Sequence, residues 1–383
     1  MKKKKIAIVL FGDYLKDGRV QRTAEALSEE YDVKVFVTTD DMVNYPSIYH
    51  EISLRMTPLK TKKLPNHPIV QVLKFFEYFI VTIIQIHKYN PDIIFCNDVY
   101  TLIFGWWFKK RKKKFIYDSH ELWKDTMHHY AYNAKLFKIL YWLQKKTICK
   151  TDAVITVNDS IADILTKDHN IKRPLVIMNI NRINLSEVTK EDIIRKEFLI
   201  DQSKKIVLYI GGIAIGRGLE YIVESVQYWD DDIFFAILGS GAFELELKEI
   251  TKNYSLEEKV YFLGSVQQDE VLQYAIACDA GIIAYQPSCK NHYYCLPNKV
   301  FQYAQMKKPI LSSNFPELSK LINGYSLGAT FDPISPIDIA KTVNDLFSKN
   351  FQISQDNHQK FIAKYNWENE AKKLLKLLKS VDG

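Results

Sequence analysis

The sequence predicts two α/β domains, each built on a doubly wound parallel sheet. Three observations predict it. Short apolar runs rich in β-branched and aromatic residues alternate with helix-periodic segments along almost all of the 383 residues. That is the pattern of parallel strands joined by right-handed crossovers. The runs are apolar throughout rather than alternating, as strands buried on both faces should be. The alternation breaks once, in the polar stretch NINRINLSEVTKED at 179–192. A linker there suits a chain of this length, for which two domains of roughly 150–200 residues are the natural expectation.

The elements follow in order. KIAIVLF (5–11) reads as the first strand. Behind MKKKK it has the outline of a signal peptide, but its apolar core is six residues long, and Gly12-Asp13 and KDGR stand where a cleavage region should be. In DGRVQRTAEALSEEY, Val20, Ala24 and Leu27 share one helical face. VKVFVT (33–38) is the second strand. The longest apolar stretch, 69–89, is interrupted by Gln71, Lys74, Glu77 and Gln85. A membrane span of about 20 residues rarely carries two charges near its middle. The stretch is therefore either a long, largely buried helix or one lying against a membrane. DIIFC (92–96), KFIYD (114–118), AVITV (153–157) and LVIM (175–178) complete the first series. The second reads KIVLYIG (205–211), IFFAILG (233–239), VYFLG (260–264), AGIIAY (280–285) and PILSS (309–313). Between its first two strands, Leu219, Ile222, Val223 and Val226 line one helix face. The expected domains are 1–183, 184–365 and a closing helix, 366–383. The cleft between the two sheets is the expected site, because such folds bind ligands at the carboxyl ends of their strands.

Composition narrows the class. Apolar residues at 47% and charged residues at 25% are ordinary for a globular protein. The net charge of +7 is modest and local, in MKKKK, in KTKK at 60–63 and in KKRKKK at 109–114. It favours anionic ligands or an anionic surface, and no nucleic-acid partner is expected. Cys96, Cys149, Cys278, Cys289 and Cys295 are odd in number and contain no CxxC, which argues for a reducing compartment. No metal site is expected. Asp230-Asp231-Asp232 precedes a strand, at the wrong edge of the sheet, and the adjacent His128 and His129 lack ligand spacing.

Five strand ends and one helix start carry candidate chemistry. Gly12 follows the first strand, and Asp17 and Arg19 flank the start of the next helix. This is either an approach for a ligand to backbone N–H groups or a tight turn with a solvated arginine. YDSHELW (117–123) puts Asp118, His120 and Glu121 at a strand's carboxyl end, and FCNDVY adds Asp98 to the same rim. His120 can donate to a sugar hydroxyl or exchange a proton near neutral pH; the alternative is a cap for the next helix. YIGGIAIGRGLE offers Gly211, Gly212, Gly216 and Gly218 as a pliable turn, with Arg217 at the mouth of a helix. A guanidinium beside helix amides suits a diphosphate. ILGSGAF, with Gly239, repeats the strand–glycine–helix arrangement. CLPNKVFQYAQMKKPILSS (295–313) places Pro297, Asn298 and Lys299 before a short helix with Gln302 on its first turn. The basic run 109–114 after Trp106-Trp107-Phe108 is either a solvated patch or a contact for anionic lipid.

Seven of these segments, taken in order, resemble the retaining glycosyltransferases of family 4, which have the GT-B fold. They are DGRVQRTAEALSEEYDVKVF, the pair PDIIFCND and YDSHE, VLYIGGIAIGRGLEYIVESV, AILGSGAFELELKEI, VYFLGSV with ACDAGIIAYQPS, LPNKVFQYAQMKKPILSSNFPEL, and YNWENEAKKLLKLL. The resemblance spans nearly the whole chain. It implies two Rossmann-like domains, the first for acceptor and the second for a nucleoside-diphosphate sugar, with a closing helix that returns to the first. It implies transfer of a sugar from that donor to a glycan or lipid-linked acceptor, with retained configuration, no metal and no cofactor. The setting it implies is bacterial surface polysaccharide or glycolipid synthesis, in the cytoplasm or peripherally at the inner face of the plasma membrane. By the same resemblance, His120 and Asp98 are catalytic. Gly211, Gly212, Arg217, Gly239, Val266, Tyr294, Leu296, Pro297, Asn298, Lys299 and Gln302 bind donor, with the 296–299 amides on sugar and phosphate and Gln302 on ribose. Gly12, Asp17, Arg19 and Glu121 lie on the acceptor side. The sequence departs from the family at four positions. Tyr294 and Gln302 stand where two acids spaced E-x7-E are usual, Gly212 where an arginine is usual, and Arg217 where a lysine is usual. Two other readings share the fold: a nucleotide-sugar 2-epimerase, which would want several acids in the cleft, and a non-catalytic nucleotide-sugar-binding subunit.

Overall fold

The computed structural model describes residues 3–38, 45–63, 68–126, 134–182, 192–267 and 270–382. They form two compact units, Met1–Asn179 with Glu370–Gly383, and Ile180–Asn369.

The strands of the first unit are β1 (Lys5–Val9), β2 (Asp32–Val37), β3 (Ile48–Tyr49), β4 (Ile52–Met56), β5 (Ile93–Asn97), β6 (Lys114–Ser119), β7 (Ala153–Thr156) and β8 (Leu175–Val176). They make one sheet in the order β3-β4-β2-β1-β5-β6-β7-β8. All neighbours are parallel except β3 and β4. Helices α1 (Gly18–Ser28), α2 (Pro68–Tyr89), α3 (Leu102–Lys109), α4 (Ala134–Thr147) and α5 (Asp159–His169) lie between its strands in sequence. Ile6, Ala7, Ile8 and Val9 of β1 are all fully buried, the two-faced burial read from their unbroken apolarity. Val20, Ala24 and Leu27 of α1 are buried as expected. One register and the strand order matter below. Asn97 pairs with Asp118, so the chain leaving β5 meets the chain leaving β6. The strand order reverses direction at β1 and β5, the place where open parallel sheets bind ligands at their carboxyl ends.

The second unit has β9 (Lys205–Ile210), β10 (Ile233–Leu238), β11 (Val260–Gly264), β12 (Ala280–Ile283), β13 (Ile310–Ser313) and β14 (Gly328–Phe331). They form a parallel sheet in the order β11-β10-β9-β12-β13-β14, with its switch at β9 and β12. Its helices are α6 (Ile193–Phe198), α7 (Leu219–Val226), α8 (Glu244–Asn253), α9 (Val271–Ala277), α10 (Lys290–Tyr293), α11 (Asn298–Gln305), α12 (Pro316–Gly324), α13 (Pro336–Ser348) and α14 (Gln355–Lys364). Leu219, Ile222, Val223 and Val226 of α7 join Val207, Phe235 and Ile237 in one core. The helix that opens LPNKVFQYAQ, α11, is pinned to the sheet by Tyr303, whose hydroxyl donates to the Leu208 carbonyl at 2.7 Å. A Cβ at Gly281 would collide with the Tyr303 ring, so a glycine in β12 lets the helix sit this close.

The last helix, α15 (Trp367–Asp382), carries the chain back to the first unit. Glu370 accepts from the Met178 N–H at 2.9 Å, and Lys373 donates to the Val176 carbonyl at 2.9 Å. Lys379 meets Glu30 and Asp382 meets Lys4, both at 2.7 Å.

Three strands escape the sequence reading. Between β3 and β4, His50 and Glu51 both adopt positive φ, 45° and 64°, a hairpin turn made without the usual glycine or asparagine. Strand β4 alternates, with Ile52 and Leu54 buried and Arg55 exposed, as an outer strand does. Strand β14, GATF, is too short and small to register as an apolar run. Most of the expected linker, and His128 and His129, lie outside the described residues.

Candidate active site

In the first unit the sequence-predicted residues gather into a chain of alternating charge. The Asp98 N–H donates to the Asp118 carbonyl at 2.9 Å, the next link after the β5–β6 ladder. Asp118 is buried and takes a two-pronged contact from Arg19, Nε to Oδ2 at 3.0 Å and Nη2 to Oδ1 at 2.8 Å. Arg19 Nη1 donates to the Ile177 carbonyl at 2.8 Å. His120 stands between two carboxylates. Its Nε2 faces Asp118 Oδ2 at 3.4 Å and its Nδ1 faces Asp98 Oδ2 at 3.3 Å. Asp98 Oδ1 also accepts from the His120 N–H at 3.1 Å. The Asp98 side chain, 33% exposed, is the open end of the series, while that of His120 is 15% exposed.

The electrostatics follow from the geometry. Burial disfavours the charged imidazole, but Asp98 and Asp118 together raise His120 to about 9. It is an imidazolium at neutral pH. Burial would raise the Asp118 carboxyl, yet Arg19 and His120 together hold it well below the usual carboxylate range. Asp98 is pushed upward, first by burial, against the pull of His120. Its backbone is unusual for a non-glycine residue, φ 57° and ψ 171°. Such strain, typically about 1–3 kcal/mol, persists where the surroundings enforce it and clusters at functional sites.

The residues expected on the acceptor side separate. Gly12 and Glu121 are half-buried beside the strand ends. Asp17 caps α1, accepting from the Val20 N–H at 3.1 Å. Arg19 is neither solvated nor exposed: it is 4% accessible, and its guanidinium is engaged by Asp118 and Ile177. It is buried behind Asp118, which His120 faces from the other side.

In the second unit the register Ile210–Leu238 sets two glycine turns side by side. The Gly211 N–H donates to the Leu238 carbonyl at 2.8 Å, and the Gly239 N–H to the Gly264 carbonyl at 2.7 Å. Gly212 follows Gly211, its carbonyl accepting from Tyr209 Oη at 2.9 Å. Gly218, φ 69°, opens α7 with Arg217 just before it. The Arg217 guanidinium lies over the Tyr285 ring, 4.5 Å from its centroid. Helix α11 begins after Pro297 with no side-chain cap; the Val300 N–H turns back to the Pro297 carbonyl at 3.2 Å, which leaves the Asn298 and Lys299 N–H groups at its mouth. Leu296 is buried; Val266, Tyr294, Pro297, Asn298 and Lys299 are half-buried. Lys299 lies over the Tyr209 ring at 4.4 Å and reaches Tyr285 at 5.9 Å. Gln302, expected on the first turn, is the fifth residue of α11 and is 6% exposed. The helix starts at Asn298 because Pro297 holds an extended backbone.

Sequence reasoning missed the segment after β12. Ser288 Oγ lies 2.9 Å from His292 Nδ1, and the His292 ring meets Tyr285 edge-on. The signal was available, since the segment leaves a strand's carboxyl end. Among the described residues, no group of three or more His, Cys, Asp or Glu side chains could hold a metal ion. Asp231 of the acidic triplet pairs with Lys259 at 3.1 Å.

Two family models match the chain: Glycosyltransferase Family 4 over residues 19–179 and Glycosyl transferases group 1 over residues 190–366. The chain belongs to these glycosyltransferases. The alpha-monoglucosyldiacylglycerol synthase of Streptococcus pneumoniae is 20% identical over 314 residues, 78% of this chain and 67% of that protein. Among solved structures, sucrose-phosphate synthase from Thermosynechococcus elongatus superposes with a TM-score of 0.80 at 16% identity, over 99% of each chain. Anabaena HepE in complex with UDP-glucose gives 0.74 at 14% identity, over 98% of this chain and 99% of that one. The fold of this glycosyltransferase is GT-B, two Rossmann-like units with parallel sheets.

Proposed function

We propose that this glycosyltransferase moves a sugar from a nucleoside-diphosphate sugar to a glycan or lipid-linked acceptor, with retention and without a metal, in bacterial surface polysaccharide or glycolipid synthesis. The observation that carries the reading is the convergence, in the second unit, of Arg217 and of Lys299, from the first turn of the uncapped helix α11, on the Tyr285 ring. When the glycosidic bond breaks, charge grows on the departing diphosphate. A preorganised cation and N–H groups stabilise that charge more in the transition state than before it. The HepE complex with UDP-glucose, on the same fold, supports the donor class. In the first unit, the His120 imidazolium is a donor suited to a sugar hydroxyl. The half-exposed Asp98 carboxylate is an acceptor for the hydroxyl that attacks. Incubation with a panel of nucleotide-sugars, scored for transfer, hydrolysis and epimerisation, tests the reading. Transfer or slow hydrolysis of one donor is expected; epimerisation, or binding without turnover, would replace it.

The acceptor reading extends to a membrane surface. Leu73, Phe76, Ile80 and Ile84 form one exposed stripe along α2, each about half accessible or more. Helix α3 packs beside it through Phe79, Phe104 and Trp107. There Lys110 covers the Trp106 ring at 3.9 Å. On α4, Ile139 and Trp142 are also exposed. Apolar side chains flanked by lysines suit a helix face lying in an anionic lipid interface. No helix among the described residues is long and apolar enough to cross a membrane.

A further inference from the structure

We propose that the Lys299 ammonium is the second cation of the donor diphosphate site, held in the space that a side chain at Gly211 would fill and sharing the Tyr285 ring with Arg217. The inference rests on the reading of this unit as a nucleoside-diphosphate site.

Three observations carry it. A Cβ at Gly211 would collide with Nζ and Cε of Lys299, and Gly211 has φ 136°, which side-chain-bearing residues rarely adopt. The turn after β9 is therefore open for this ammonium and for nothing larger on its own backbone. Lys299 makes no hydrogen bond or ion pair among the described residues; its surroundings are the faces of Tyr209 and Tyr285. Arg217 lies over the same Tyr285 ring at 4.5 Å, so two cations converge where no carboxylate faces Lys299. A half-buried ammonium beside a guanidinium, with no carboxylate facing it, is unfavourable unless an anion completes the arrangement. Two cations and a helix mouth match the charge and extent of a diphosphate better than of a single carboxylate.

The titration of the site gives the readout. Burial first, and then repulsion from Arg217, push the Lys299 ammonium down to about 7. The groups around it do not exchange protons there. His292, beside Arg217, is lowered to about 4, Cys295 is raised to about 12, and Tyr209 is raised to about 12. Above pH 7 the ligand-free site thus loses charge. A diphosphate that binds between the two cations raises Lys299 again and takes up a proton.

The test is calorimetry with UDP, ADP, GDP and inorganic pyrophosphate, at pH 6 and pH 8.5, in buffers of different ionisation enthalpy. Wild-type protein takes up close to one proton per diphosphate at pH 8.5 and much less at pH 6. Lys299→Gln and Lys299→Met bind about 10- to 100-fold more weakly and take up none. Lys299→Arg keeps most of the affinity and also takes up none. The parent nucleoside, which has no phosphate, binds these variants as it binds wild type. Unchanged diphosphate affinity and proton uptake in Lys299→Gln overturns the inference, as does an equal loss for nucleoside and diphosphate. If Arg217→Ala weakens diphosphate binding and Lys299→Gln does not, the Lys299 role alone falls. If wild-type protein binds none of the probes, the donor reading falls, and this inference with it.

Discussion

Gln302 and His120 make opposite demands on measurement. Gln302 is buried at the fifth position of α11 and on the donor reading touches only the ribose, away from the charge that grows on the leaving group. Gln302→Ala should therefore raise the donor KM and leave kcat nearly intact. A fall in kcat at unchanged KM would place it against the reacting atoms instead. His120 is raised from 6.5 to about 9 by the carboxylates on either side, against the opposing effect of burial. A base with a raised folded-state value stabilises fully below the unfolded value and loses that contribution as pH rises through the folded one. Wild-type protein should therefore lose on the order of 1–3 kcal/mol relative to His120→Gln between pH 6.5 and 9, measured by urea unfolding. Parallel stability curves for the two proteins would show that the imidazolium is not held as the geometry implies. His120 and Asp98 were legible in the sequence because both leave strands at their carboxyl ends. The role of Arg19 was not. Whether an arginine at a helix start is solvated or buried against Asp118 depends on a partner 99 residues away, and no local pattern carries that information.

At the scale of elements, α2 and the basic run that follows α3 decide the membrane question. The run 109–114 is not uniformly available. Lys109 and Lys114 both approach Asp152, at 2.6 and 3.9 Å, and Lys113 donates to Asn90 at 3.0 Å. Arg111 covers Trp107, and Lys110 covers Trp106. Reversing Lys110, Arg111 and Lys112 to Glu spares the Asp152 pairs. At about 1 kcal/mol per basic residue near an anionic surface, each reversal should cost several-fold in binding. Together with Phe76→Ser and Ile80→Ser they should abolish co-sedimentation with anionic liposomes at low salt. Co-sedimentation equal to wild type would remove the lipid reading and leave the stripe unexplained. Central strands were legible because two-sided burial writes an unbroken apolar run into the sequence. Strands β3 and β4 were not, because the turn at His50 and Glu51 uses positive φ in residues that do not announce it. The tight seat of α11 was half legible: the short helix was expected, but not that Gly281 admits the Tyr303 ring.

For the whole molecule, the family and the two-sheet architecture were readable because seven segments fall in one order along the chain. The second cation was not, since Lys299 gains meaning only when the turn at Gly211 and the face of Tyr285 are brought to it. On the proposed reading, this chain breaks a sugar–diphosphate bond with charge stabilisation centred on Arg217. Losing one preorganised group that meets developing charge typically costs about 2.7–4 kcal/mol, or roughly 10²–10³ in rate. The direct test is kcat/KM of Arg217→Ala on the donor that the nucleotide-sugar panel identifies, with Arg217→Lys beside it. Alanine should lose activity approaching that range, mostly in kcat, and lysine should keep partial activity as a point charge. Near-wild-type kcat/KM in Arg217→Ala would contradict it and assign the diphosphate to another loop.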